Sequence, residues 1–204
     1  MISAGDLDQI GPGLFTWHLY DPNVKAELFS TAVFTPSGGF LVDPVPLDRI
    51  ALGQLKAVGK IKGVIITNNN HLRACVQFAE HFSVPIFAHP GSFPEGGASF
   101  TPITGGVNIC ESLEVIALDG AVPGEIALES AADGGALIMG DALINFEPYG
   151  FTFLPPKYCL NHKEMRRSLR KLLNRNSERL FFAHGFPILS KVDARLRNLL
   201  EANS

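Results

Sequence analysis

The stretch Gly63-Val64-Ile65-Ile66-Thr67-Asn68-Asn69-Asn70-His71-Leu72-Arg73 organises the reading of this chain. Its first four residues form a continuous apolar run, the mark of a strand covered on both faces. A polar loop follows Thr67, and a helix is expected through Cys75, Val76, Phe78, Ala79 and Phe82. Val84-Pro85-Ile86-Phe87-Ala88 reads as the next strand. Working upstream, Gly13 to Tyr20 and Ala32 to Phe34 are rich in aromatic and β-branched residues and read as strands. Pro36-Ser37-Gly38-Gly39 signals a turn, and Phe40-Leu41-Val42 is a short apolar strand running into Asp43-Pro44. Pro46 to Ala57 reads as a helix with Ile50, Leu52 and Leu55 on one side.

Downstream, Pro90 to Gly106 is rich in Gly, Pro and Ser and is expected to be a long exposed loop. Leu113 to Ala117, Glu125 to Glu129 and Gly135 to Met139 read as successive strands, Arg179 to Ala183 as a last strand and Val192 to Leu200 as a closing helix. His162 to Arg175 places Met165, Leu169, Leu172 and Leu173 at helical spacing against a face of six Lys and Arg residues, an amphipathic surface helix. A solvated basic face is the expectation there, with an anion-binding patch as the alternative. No internal repeat and no dividing linker shows, so residues 1–204 are expected to form one layered α/β domain with mixed sheets.

Composition narrows the function classes. At 204 residues, 46% of them hydrophobic and 18% charged, the chain can bury a sizeable core. A formal net charge of −3 leaves no electrostatic footprint for nucleic acid. No run approaches the roughly 18–20 apolar residues of a membrane span, and Met1 to Gly13 has neither a charged n-region nor a long apolar stretch, so no membrane association is expected. Cys75, Cys110 and Cys159 are odd in number and widely spaced, which argues against a disulfide framework or zinc knuckle and for a reducing cytoplasm. Cys75 lies in an apolar helix stripe and reads as buried and inert. There is no GxSxG elbow, no P-loop and no GxGxxG after a strand.

Four features in this order resemble the metallo-β-lactamase superfamily: Phe40 to Pro44; Gly63 to Thr67 with its loop, helix and strand ending in His89; Ala121-Val122-Pro123-Gly124 followed by two strands ending in Met139-Gly140-Asp141; and Phe182-Ala183-His184-Gly185-Phe186-Pro187. The resemblance runs from about Leu14 to the last strand. It implies a four-layer αβ/βα sandwich, two mixed sheets flanked by helices, with a site at one edge of the paired sheets. In that family the loop after the buried strand reads Thr-His-x-His-x-Asp-His and builds a two-metal centre of zinc or iron that keeps a position open for water. Here Asn68 and Asn70 stand for the two leading histidines, Leu72 for the aspartate, Arg73 for the last histidine, and Ala121 for a further histidine before the Pro-Gly turn. Asp141 and His184 keep family ligand identities, and both belong to the same half of the centre.

Asn offers a neutral hard oxygen, poorly suited to zinc or iron, and leucine offers nothing. Arginine is never a practical ligand, and a fixed charge about 4 Å from a metal costs roughly 4 kcal/mol per unit charge at an effective dielectric near 20. Arg73 is therefore expected to pair with Asp141 and stand in for the metal, and Asp43 to cap a turn or hydrogen-bond the Asn68–His71 loop. His71, one residue out of the family's ligand register, is expected to point elsewhere. The reading implied is a member without efficient hydrolase activity and without a bound cofactor, a pseudoenzyme kept to bind a small polar or anionic ligand beside Asn68, Asn69, Asn70, His71 and Arg73. The alternative is a mononuclear metal-dependent hydrolase holding one zinc or iron ion on Asp141, His184 and His71, with Asp141 and His184 as its catalytic pair. His18, His81, His89 and His162 have no metal-like partner at short spacing, and Asn161 is a natural cap for the helix that His162 begins.

Overall fold

The computed structural model describes residues 2–93, 99–132 and 134–202. Four antiparallel strands, β1 (Asp8–Gly11), β2 (Leu14–Asp21), β3 (Ala26–Thr35) and β4 (Gly38–Val42), open the chain as a meander. The β3–β4 connection is the two-residue turn Pro36-Ser37, with Thr35 paired to Gly38. Helix α1 (Arg49–Val58) follows, its first turn capped by Asp48 Oδ1, which accepts from the amides of Ile50 and Ala51. Strand β5 (Ile61–Ile66) then lies parallel to β4, helix α2 (Cys75–Phe82) crosses over, and β6 (Ile86–Ala88) and β7 (Thr101–Pro102) complete a seven-stranded sheet.

The second sheet has five strands: β8 (Asn108–Cys110), β9 (Leu113–Ala117), β10 (Ile126–Ser130), β11 (Ala136–Met139) and, parallel to β11, β14 (Arg179–Phe181). Between β11 and β14 come the hairpin β12 (Leu143–Phe146) with β13 (Gly150–Phe153), then α3 (His162–Ser168); α4 (Val192–Ala202) closes the chain.

Alternation of side chains along the strands produces the layers. From the first sheet Phe40, Val42 and Ile65 point inward, meeting Val115, Ile126, Leu128 and Ile138 of the second. Their neighbours Leu41, Val64 and Ile66 point outward and pack under Leu55, Cys75 and Phe78 of α1 and α2. On the far side Ala127, Leu137 and Met139 pack under Met165, Leu196 and Leu200 of α3 and α4. The order helix–sheet–sheet–helix is the expected αβ/βα sandwich, with mixed sheets as anticipated.

Three local expectations change. The segment around Pro90 to Gly106 is not featureless: it carries a turn of 3-10 helix at Pro90–Ser92 and the edge strand β7, while residues 94–98 lie outside the described residues. The basic helix is shorter, α3 passing into a 3-10 turn at Leu169–Leu172. Arg175 therefore leaves the helical face and binds Glu114 and Glu129, two like charges directly opposite on β9 and β10. The hairpin β12–β13 has no counterpart in the strand pattern read from the sequence.

Candidate functional site

Both sheets end at one edge, and there the loop after β5 meets the loops after β11 and β14. The main chain stitches the sheets together at this edge: Ile126 N donates to Thr67 O at 2.8 Å and Asn69 N to Pro123 O at 3.1 Å. Asp43, buried at the end of β4 with a left-handed φ of 48°, organises the β5 loop. Its Oδ1 accepts from Thr67 N (2.9 Å), and its Oδ2 accepts from Thr67 Oγ1 (2.5 Å) and from His71 Nδ1 (2.8 Å). The expected role of Asp43 in holding this loop is what the structure shows.

His71 does not point elsewhere. With Nδ1 committed to Asp43, its Nε2 faces Asp141 Oδ1 at 3.1 Å, both side chains nearly sealed from solvent. His184 Nε2 approaches the same oxygen at 3.3 Å, while His184 Nδ1 donates to Glu27 O at 3.3 Å. The three donor atoms lie within 4.8 Å of one another. Motif register is a poor guide at this position: the ring of His71 is set by Asp43, not by its place in the motif.

Arg73 does not pair with Asp141. Its guanidinium donates to three main-chain carbonyls, Phe29 O (2.6 Å), Asp43 O (3.0 Å) and Ala183 O (3.3 Å), which belong to β3, the end of β4 and the segment after β14. A planar fork with five N–H groups satisfies several carbonyls at once, and this use outcompetes a single carboxylate. His71 takes the place beside Asp141 instead. Asn70 Nδ2 reaches the other oxygen of Asp141 at 3.2 Å.

Asn68 turns away from this cluster. Its Nδ2 donates to Glu125 Oε2 at 2.8 Å, its Oδ1 accepts from Asn70 N, and Glu125 Oε1 accepts from Ala142 N at 2.9 Å. The space beside Asn68 is thus filled by a buried carboxyl, and Gly140 makes room for it: a Cβ there would lie 2.8 Å from Glu125 Oε1 and from Thr67 Oγ1. In the sequence Glu125 reads only as a strand residue, and an acid directly after a Pro-Gly turn carries no signal for this role.

Burial pushes the Glu125 carboxyl up to about 8, with the charge of Asp141 adding to the rise and the Ala142 amide, the charge of His71 and the Asn68 amide opposing it. Burial works against a charged His71, yet Asp141 and Asp43 outweigh it and the opposing Arg73, raising the imidazole to about 9. Burial also works against ionisation of Asp141, but the charge on His71 and the imidazoles of His184 and His71 facing it hold the carboxyl well below the usual carboxylate range. Cys75 is fully buried and its thiol is pushed up by burial, as expected of an inert residue. His18 stacks on Phe29 and stands away from the cluster's donors, and Asn161 caps α3 by accepting from Glu164 N.

The model of the metallo-β-lactamase superfamily matches residues 8–203. The chain belongs to that superfamily. No curated protein matches this superfamily member in sequence. Among solved structures it is similar to the DIM-1 metallo-β-lactamase, with 14% identity, 100% of this chain and 99% of that one covered, and a TM-score of 0.76. A metallo-β-lactamase family protein from Thermus thermophilus gives 19% identity, 96% and 80% coverage and a TM-score of 0.67. TTHA1623, solved in a di-iron-bound form, gives 20% identity, 88% and 97% coverage and a TM-score of 0.65. At such identities the likeness is one of fold.

The fold family implies metal, so the donor set must be tested against it. His71 Nε2 and Asp141 Oδ1 are both buried without a hydrogen-bond partner, although only 3.1 Å apart. At this separation the two atoms are close enough to share one ion. Ligands roughly 2.0–2.2 Å from one ion lie about 2.8–3.6 Å from each other at octahedral to tetrahedral angles, and the separations of 3.1 and 3.3 Å from Asp141 Oδ1 fall in that range. Each histidine holds its Nδ1–H on an outer oxygen, the usual support of a ligating imidazole. His71, Asp141 and His184 could hold one ion, with the donor atoms, now within 4.8 Å of one another, drawn to about 3.6 Å or less around it. The space beside Asn68 fits none, since Glu125 and Asn68 satisfy each other there.

Proposed function

We propose that this protein binds one divalent transition-metal ion, zinc or iron, through His71 Nε2, Asp141 Oδ1 and His184 Nε2, and that it captures a small anionic ligand there without efficient turnover. The observation that carries this reading is the pair of outward-tied imidazoles. With Nδ1–H held by Asp43 and by Glu27 O, the neutral rings both aim a lone pair at a carboxylate oxygen, an arrangement that requires a positive charge between them. In the metal-free protein the proton on His71 supplies that charge. When bound, an ion supplies Lewis acidity and an open coordination position.

The chain's own residues hold the donors in place and limit the chemistry. Asp43 fixes His71, Asn70 steadies the second oxygen of Asp141, and the Arg73 clamp ties Asp43 and Ala183 into one frame. His184, with 19% of its side chain exposed, is the open edge of the cluster. Leu72 holds the place of the family aspartate, and the buried acids Asp43 and Glu125 are committed to hydrogen bonds. Metal analysis of protein purified without chelator tests the reading. One equivalent of zinc or iron is expected, lost in Asp141→Ala and His184→Ala; less than about a tenth of an equivalent after reloading with either metal would refute it.

The mononuclear hydrolase is a second reading, favoured by the exposed edge of His184, which leaves room for substrate. Assay of the loaded protein against thioester, lactone, lactam and phosphodiester probes separates the two. Turnover lost in His184→Ala would establish the hydrolase, and metal binding without turnover the capture reading.

A further inference from the structure

The helical layer over the second sheet carries a charge asymmetry that the donor cluster does not use. Seven of the chain's 17 Lys and Arg residues, but one of its 20 Asp and Glu residues, lie between Lys157 and Arg175, in a protein of net charge −3. Three of the seven cations are committed within the fold. Arg175 binds Glu114 and Glu129, Lys171 binds Asp119 at 3.0 Å, and Arg166 lies over the Phe153 ring at 5.3 Å. Lys163, Arg167 and Arg170 are exposed, and among the described residues their side chains have no hydrogen-bond or ion-pair partner. They recur at helical spacing, on the side of α3 and its following turn opposite the buried Met165, Leu169 and Leu172.

The chain just before α3 adds apolar surface to this face. A 3-10 turn at Pro156–Tyr158 sets the exposed Lys157 over the ring of Tyr158 at 4.6 Å. Tyr158 is 58% exposed and Leu160 69%. The main chain here is fixed: Leu160 N donates to Ala121 O at 2.7 Å, Asn161 N to Gly120 O at 2.8 Å, and Asn161 caps α3. A leucine and a tyrosine are thus held in water beside four cations.

An anionic partner explains the cations, because the rest of the molecule carries more acid than base and is repelled by such a partner. The exposed leucine selects among anionic partners. A nucleic-acid strand rewards rings on which its bases stack, and an aliphatic side chain offers it no such platform. A lipid headgroup layer uses every part of the face: cations meet the anionic headgroups, tyrosine sits at headgroup level, and leucine reaches the acyl boundary. We infer that the face from Lys157 to Arg170 docks on an anionic membrane surface. Among the described residues no helix is long and apolar enough to cross a membrane, and a surface contact requires none. Each cation near such a surface contributes about fivefold in affinity, so the contact is reversible and salt-sensitive.

Flotation of the full chain with vesicles tests the inference, phosphatidylcholine alone being compared with phosphatidylcholine mixed with phosphatidylserine. The mixed vesicles are expected to bind at least about thirtyfold more tightly, and raising the salt is expected to release the protein. Arg167→Gln with Arg170→Gln should weaken binding by about 10- to 30-fold, and Leu160→Ser by about three- to fivefold. All of these side chains are exposed, and equal urea midpoints would show that the fold is unchanged. The inference is overturned if mixed vesicles bind no better than neutral ones, or if the double variant binds like the parent. Loss with the arginines but none with Leu160→Ser would overturn it in favour of a purely ionic contact, such as an acidic protein. Binding of a labelled single-stranded oligonucleotide, without vesicle binding, would overturn it in favour of nucleic acid.

Discussion

At His71 two carboxylates decide the state of one imidazole. Asp43 accepts from its Nδ1–H and Asp141 faces its Nε2, so the two carboxylates outweigh burial and favour the charged ring. His71→Ala therefore leaves two buried acids without their counter-charge, and the metal-free protein is expected to lose about 3–5 kcal/mol in urea unfolding. Asp43→Asn should spare the fold more and weaken metal by about 10- to 100-fold, the usual cost of removing the outer partner of a ligating histidine. Arg73→Met removes three hydrogen bonds at the seam between the sheets, although Asp43 O keeps Ser30 Oγ and Ala183 O keeps Phe29 N, for a loss of about 1–3 kcal/mol, with Arg73→Lys intermediate because a single ammonium cannot span them. Asp141 and His184 could be read from the sequence because they keep their places in a motif. The orientation of His71, the clamp made by Arg73 and the part played by Glu125 could not, since each depends on a partner at least 28 residues away.

The elements that present these residues are held by close approaches of main chain. Gly185, at φ 112°, lies where an added Cβ would meet Asn145 O at 1.9 Å, and the two residues form a bridge between the β12 hairpin and the His184 loop. Gly185→Ala is expected to cost more than about 2 kcal/mol and to lower metal affinity by moving His184, both readable from one series of unfolding curves with and without metal. An unchanged metal response in that variant would show that the hairpin does not position His184. Buried strands such as β5 and β11 were legible because both of their faces are apolar. The hairpin β12–β13 was not: Leu143, Ile144 and Phe153 are buried, but its other residues are half-buried, so no continuous apolar run marks it. The break between α3 and the following 3-10 turn was equally silent, because Met165, Leu169 and Leu172 stay buried through it.

Across the whole molecule the cluster joins the two sheets, Asp43 and His71 coming from the first and Asp141 and His184 from the loops of the second. Its protonation therefore bears on the stability of the entire sandwich. His71 is raised from 6.5 to about 9 and Glu125 from 4.5 to about 8, so the folded metal-free protein holds both protons more tightly than the unfolded chain. The His71 contribution is complete below 6.5 and lost as pH rises through about 9; that of Glu125 is complete below 4.5 and lost through about 8. Asp141 acts in the opposite sense, its contribution being lost only as pH falls below the ordinary carboxylate value. In EDTA the urea midpoint should fall between about pH 6 and pH 9, and Glu125→Gln should shrink that fall; a midpoint that rises with pH contradicts the assignment. An ion at the proposed site would reverse the logic, since it would replace the proton of His71 and link both sheets directly. At a free metal concentration about one hundred times its dissociation constant, binding adds about 2.7 kcal/mol, which for a chain of this size raises the unfolding temperature by about 5–10 °C. The rise should appear with zinc or iron at about pH 8, vanish in His71→Ala and His184→Ala, and persist in Asn68→Ala, whose side chain faces Glu125. A rise that survives loss of both histidines would place the ion somewhere other than between the sheets.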